Sequence, residues 1–160
     1  MFVSANNKMT QIHRVAILIP LVVSTSAVVS TIFVHALAVG ATVKFVRHEI
    51  RRGRAGTSFW IDFAIVALTM LFVLVAHLIE IALWAVLFVV VGEFSEFATA
   101  YYHSAVNYTT LGYGDLIMTP SWRLLGPLEA ANGAVMFGVS TAMIFTVILR
   151  VTQARFADLR

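Results

Sequence analysis

The segment Thr109-Thr110-Leu111-Gly112-Tyr113-Gly114-Asp115 carries the most chemical information in the chain. Two glycines separated by one residue open backbone conformations that a Cβ largely closes, and these let successive carbonyl oxygens turn the same way. A ring of such carbonyls, contributed by four chains, can replace the hydration shell of a potassium ion. The carbonyls of Thr110, Leu111, Gly112 and Tyr113 and the Thr110 hydroxyl are therefore the expected ion ligands, with Gly114 completing the strip. Leu111 and Tyr113 are expected to point away from the axis and pack the loop in place, with Thr109 and Asp115 supporting it. Asp115, Glu93 and Glu96 could also raise the local cation concentration. Glu96 could equally complement the positive N-terminus of a helix.

A second constellation is His77, Glu80 and Trp84, whose spacing of three and seven residues puts them on one helical face. His35, Glu129 and Asn132 are candidate partners. A histidine beside a carboxylate can change charge in the physiological range, so this face is either a proton-sensitive contact or a hydrogen-bonded peg between helices. There is no cysteine, which removes disulfides, thiolate metal sites and thiol nucleophiles together.

The elements that position these residues follow from composition. Of 160 residues, 60% are hydrophobic and only 12% charged, and the mean hydropathy is +0.90; soluble domains carry roughly 25% charged residues. Val15 to Val43 has no charged residue, Phe63 to Val91 has only Glu80, and Leu124 to Leu149 has only Glu129. Each exceeds the ~20 residues that cross a bilayer core of about 30 Å. Lipid offers the backbone no hydrogen bonds, so these are helices. The apolar/polar alternation of a membrane barrel is missing.

Lys44, Arg47, Arg51, Arg52 and Arg54 lie in the first connection and only Arg123 in the longer second one, so the first loop is expected to be cytoplasmic. Arg150, Arg155 and Arg160 put the C-terminus on the same side, against a mild conflict from Lys8 and Arg14. Ala36-Leu37-Ala38 resembles a signal cleavage site, but the apolar run is about twice a signal core in length. Arg51, Arg52 and Arg54 could also meet anionic lipid heads. Asp62 and Trp60, near the inner interface, are expected to be anchors.

Between the second and third spans, Ser95 is the expected N-cap of a helix over 96–108. That helix is too short to span, so it is expected to be re-entrant, buried in protein or lining a water-filled path. Its negative C-terminal end would point at the pore centre and stabilise a cation there.

This half-helix, the threonine pair and the glycine-rich segment between two spans resemble the pore domain of tetrameric potassium channels. That family's filter reads Thr-Val-Gly-Tyr-Gly followed by Asp. The resemblance covers about Phe59 to Leu149 in the order outer helix, pore helix, filter, inner helix. Leu111 stands where valine is commonest, and Val106 where some members carry a carboxylate behind the filter. The extra leading span and the stretch His77-Leu78-Ile79-Glu80-Ile81-Ala82-Leu83-Trp84 are similar to small bacterial ion-channel proteins related to the two-pore-domain module. In the family register Gly133 falls at the usual hinge and Gly138 is a second flexible site, though either could simply let helices approach closely. Ala134, Phe137, Thr141, Phe145 and Leu149 would line the cavity, and Phe145 and Leu149 could close it by dewetting or serve only as packing.

The expected fold is thus an all-α membrane protein: three transmembrane helices with a re-entrant pore helix and filter loop between the second and third, assembled as a four-fold tetramer. The expected divisions are an extracytoplasmic N-terminus over 1–14, a first helix over 15–43 and a basic cytoplasmic loop over 44–58. The pore domain follows over 59–150, with its outer helix at 59–91, pore helix at 96–108, filter at 109–115 and inner helix at 124–149; the cytoplasmic tail is 151–160. The resemblance implies a homotetramer in the plasma membrane, of bacterial inner-membrane type, conducting K+ passively. No enzyme activity, cofactor, nucleic acid or small-molecule substrate is expected. The first span has no arginine ladder, and the residues after Leu149 are too few for a ligand-sensing domain, so voltage and nucleotide gating are disfavoured. The alternatives are a weakly selective cation channel of the same fold and a non-conducting regulatory subunit.

Overall fold

The computed structural model describes residues 2–156, with side chains described from Ile17 onward. The side chains before Ile17, those of Lys8 and Arg14 among them, and residues 157–160 with the Arg160 charge lie outside that description. The described residues form four helices and no strand: α1 Phe2–Arg51, α2 Phe59–Val90, α3 Phe97–Tyr108 and α4 Leu125–Arg155. Ile17–Arg51, Phe59–Val90 and Leu125–Arg155 are long and apolar enough to cross a membrane. Many of their exposed residues are large and apolar, among them Val22, Phe33, Val90 and Val135 at 60–75% exposure, as suits a helix whose solvent is lipid rather than water.

Two helices run further than the positions of their charges suggest. Residues 44–51, expected as loop, continue α1, and residues 150–155 continue α4. A charged side chain does not stop a helix, since Lys and Arg are good helix formers; a residue able to take a left-handed conformation does. Gly53 is that residue after α1, with φ of 65°. Its amide bonds the Ile50 carbonyl, and the next amide, of Arg54, reaches back to Glu49. Gly92 repeats the device after α2: φ is 80°, its amide bonds Val89, and the Glu93 amide bonds Phe88. In each case the paired bonds satisfy helix-end carbonyls.

The chain folds as two compact units. The first takes α1 up to Thr31 and Ile81–Ala134; the second takes Ile32–Glu80 and α4 from Val135. In the first unit Trp84, Ala85 and Phe88 of α2, Ala100 and Tyr108 of α3, and Leu125 of α4 have no exposed surface. The second unit has a core of Val46, Ala55, Ile65, Val147 and Val151, with Phe45, Ile61, Val66 and Ala154 packed against it.

The second unit is pinned at one end by Asp62. Its Oδ1 accepts the Gly56 amide at 2.8 Å, and its Oδ2 pairs with Arg155 at 2.7 Å. Gly56 has a φ of 85°, and a Cβ there would lie 2.6 Å from the Arg155 amide nitrogen, so this crossing admits only glycine. Trp60 is 73% exposed and stands edge-on to Phe59 and Phe63.

Candidate functional site

The site in the first unit is built on the end of α3. The N-cap of α3 is Glu96, in extended conformation and without a side-chain capping bond, one residue later than the expected Ser95 cap. Beyond Tyr108 the helix stops by the same paired-bond device as α1 and α2, with Thr110 in the place of the glycine. Thr110 has φ of 60°, its amide bonds the Asn107 carbonyl at 2.8 Å, and the Leu111 amide bonds Val106 at 3.0 Å. The Gly112 amide also reaches the Val106 carbonyl, at 3.1 Å. A β-branched residue at positive φ is a strained exception, and such strain clusters at functional sites.

Positive φ recurs at every second residue: 60° at Thr110, 61° at Gly112 and 72° at Gly114. A backbone whose φ changes sign at each step can gather successive amide N–H groups on one side and leave successive carbonyls free to turn to the other. Leu111 and Tyr113, expected to pack the loop, are 55% and 67% exposed within the single chain. The whole of 111–115 is exposed.

Two contacts hold the far end of this loop. Tyr102 donates its phenolic hydrogen to Asp115 Oδ2 at 2.7 Å. That bond raises the Tyr102 pKa from 10.0 by favouring the neutral phenol, so the donor is retained at any physiological pH. Glu93 accepts both the amide and the hydroxyl of Thr119, at 2.7 and 2.5 Å. Its carboxylate is thus committed to the chain beyond the loop. Asn107 donates from Nδ2 to His103 Nε2 at 2.8 Å, and the His103 ring lies 4.9 Å from Phe94 and 5.4 Å from Phe88.

Behind the loop, α3 is fixed to α4. A Cβ on Gly133 would overlap the Tyr108 carbonyl oxygen and come within 3.2 Å of the Tyr108 ring. Gly133 is therefore a point of backbone contact, whereas Gly138 has open space around it. Ser104 of α3 bonds both the Ile81 carbonyl, at 2.8 Å, and Glu129 Oε1, at 2.5 Å. Asn132 donates from Nδ2 to Thr31 Oγ1 at 3.0 Å. Glu129 and Asn132, expected as partners of the His77–Glu80 face, make these other contacts instead. Trp84 likewise lies in the first unit, its ring 6.1 Å from that of Phe88.

The His77–Glu80 face is completed in the second unit by His35 and by Ser140. Glu80 Oε1 lies 2.9 Å from His35 Nδ1, and Oε2 lies 3.1 Å from His77 Nδ1. Ser140 Oγ closes the ring, 3.0 Å from His77 Nε2 and 3.2 Å from His35 Nε2. The two imidazoles are 5.4 Å apart, and the Phe137 ring sits 4.6 Å from His77. Phe137 thus meets the polar ring. Ala134, Gly138, Thr141, Phe145 and Leu149 do form an exposed stripe along α4, opposite the buried stripe of Asn132, Met136, Ser140, Met143, Val147 and Val151.

Among the basic residues, Arg54 is taken up by Glu49 at 3.1 Å, leaving Arg51 and Arg52 exposed beside it. Arg47 and Arg150, one on α1 and one on α4, line a common groove with Val43, Ile50 and Thr146. Sequence reasoning missed Ser140, Ser104 and Tyr102. Small hydroxyls are frequent in membrane helices and carry no spacing signal, and Tyr102 meets its partner only because the chain turns back after α3.

A family model described as "Ion channel" matches residues 68–150, just over half of the chain. No curated protein and no solved structure matches it.

Proposed function

Since this chain belongs to the ion channel family, we propose that it conducts potassium passively across a membrane as a homotetramer, through a filter formed by 109–115 of each copy. The observation that carries this reading is the alternation of positive φ at Thr110, Gly112 and Gly114 directly behind a 12-residue helix. That alternation suits a strip of carbonyls turned to one side, and four such strips supply the oxygens that replace a potassium ion's water. In this reading α3 is a re-entrant pore helix, since about 18 Å of helix cannot cross a bilayer. Leu111 and Tyr113, uncovered in one chain, find their packing on neighbouring copies. The exposed stripe from Ala134 to Leu149 lines the inner cavity, with Phe145 and Leu149 as its narrowing.

Asp115 braces the filter through Tyr102. The basic end of α1, with the C-terminus, faces the cytoplasm under the positive-inside bias, which fits a plasma membrane. Arg51, Arg52, Arg47 and Arg150 are available there to anionic lipid heads. The partners of the chain are its own copies and lipid; the permeant ion is K+, and conduction itself calls for no cofactor, nucleic acid or small-molecule substrate.

The test is potassium against sodium flux in liposomes holding only the purified protein, with barium as a pore blocker. Barium-sensitive flux that favours potassium is the expected result. Equal flux of both ions would indicate a weakly selective cation channel, and a tetramer passing neither ion over a range of pH and lipid would indicate a non-conducting subunit.

A further inference from the structure

We propose that His35, His77 and Glu80 form a binding site for a divalent transition-metal ion, with zinc as the ion the donor set fits. The site lies wholly within the second unit and does not depend on how residues 109–115 are read. The candidate ligand atoms all lie within 4.8 Å of one another. His77 and Glu80 are three residues apart on α2, so both project from one face, and His35 of α1 meets them there.

The spacing is near that of a coordination shell. A tetrahedral ion with bonds of about 2.0–2.1 Å sets its ligand atoms roughly 3.3 Å apart. The two nitrogen–oxygen pairs of this site are at 2.9 and 3.1 Å. An ion seated between the two Nδ1 atoms and the carboxylate replaces the hydrogen bonds there. Two imidazole nitrogens and one carboxylate suit zinc or cobalt; magnesium and calcium prefer oxygen alone.

Ser140 supplies what such ligands require on their far side. A histidine bound through Nδ1 keeps an N–H at Nε2, and metal-bound histidines almost always donate that hydrogen to a fixed acceptor. Both Nε2 atoms reach Ser140 Oγ, at 3.0 and 3.2 Å, and a hydroxyl oxygen has two lone pairs to receive them. When no ion is bound, the single hydroxyl proton can be given to only one of the two rings. With the ion in place both rings become donors, and the oxygen satisfies both. The surroundings favour retention: His35, His77, Glu80 and Ser140 are 4%, 6%, 0% and 4% exposed. A carboxylate at this depth needs compensating charge.

The experiment uses the purified full chain in detergent, stripped with a chelator and titrated with Co2+ alone, then with Zn2+. The expected result is one Co2+ per chain with the intense visible absorption of a four-coordinate ion, displaced by Zn2+. His77→Gln and Glu80→Gln abolish that absorption, and Ser140→Ala keeps the ligands but weakens binding by about 10–100-fold. His48→Gln, at an exposed histidine elsewhere on α1, leaves it unchanged. A pale octahedral spectrum, no stoichiometric uptake by the unaltered chain, or absorption that survives both ligand variants overturns the proposal. If the ligand variants do not fold, the spectrum of the unaltered chain and the affinity of Ser140→Ala decide it.

Discussion

The carbonyl oxygen of Tyr108, at the last residue of α3, lies so close to the Cα of Gly133 that no side chain can be placed between them. The contact sets how near α4 comes to the end of the short helix, and so where the loop after it begins. Gly133→Ala is expected to push the two apart and to destabilise the protein by about 1–3 kcal/mol, the usual range for forced overpacking. Thermal unfolding in detergent measures this. Gly138→Ala, in open space, is the matched control and should be neutral or gain up to ~1 kcal/mol from helix propensity. Equal losses at both positions would show that the contact at Gly133 is not limiting.

Gly112 has φ of 61°, a conformation that costs an alanine about 1–2 kcal/mol. If 109–115 forms the proposed filter, Gly112→Ala is expected to abolish selective potassium flux while leaving membrane insertion intact. Potassium over sodium permeability in liposomes is the readout, and an unchanged preference would remove 109–115 from the conduction pathway.

His103 gives a pH dependence. Burial pushes its imidazole below the ordinary 6.5, opposed in smaller part by Asp115, Glu93 and a Leu116 backbone hydrogen bond. The folded state therefore favours the neutral ring, whose Nε2 accepts from Asn107. Its contribution is complete above the ordinary value and is lost as pH falls through it toward the lowered one. The thermal midpoint should fall on acidification from about pH 7.5 to pH 5, and His103→Gln should flatten that profile. A profile unaltered by the substitution would place the sensitivity elsewhere.

Asp62 serves two partners through different oxygens. Asp62→Ala orphans the half-buried Gly56 amide as well as Arg155, and should cost about 1 kcal/mol or somewhat more, toward the low end of the range for an unsatisfied donor. Asp62→Asn can still accept from Gly56 and loses only a partly exposed ion pair, worth about 1 kcal/mol or less. Unfolding of the two variants side by side should show alanine as clearly the worse.

The hydrophobic runs by themselves determined three long helices, because lipid leaves the backbone no other way to satisfy its amides. The glycine pair in 109–115 likewise marked the unusual backbone at Gly112 and Gly114, since the lack of a Cβ is a property of the residue. The left-handed Thr110 could not be read this way, as threonine disfavours that conformation and only the stop of α3 imposes it. Nor could the helix ends: charges at 44–51 suggested a loop, while the glycine at 53 is where α1 turns off. Partnerships across the chain were the least legible. His77 and Glu80 were paired by helical period, but whether His35, Asn132 or Glu129 joined them depended on how the helices are rotated and staggered. The tertiary structure chose His35 and added Ser140, sent Glu129 to Ser104 and Asn132 to Thr31, and made Gly133 a contact. One-dimensional periodicity fixes which residues share a face; only packing fixes what that face meets.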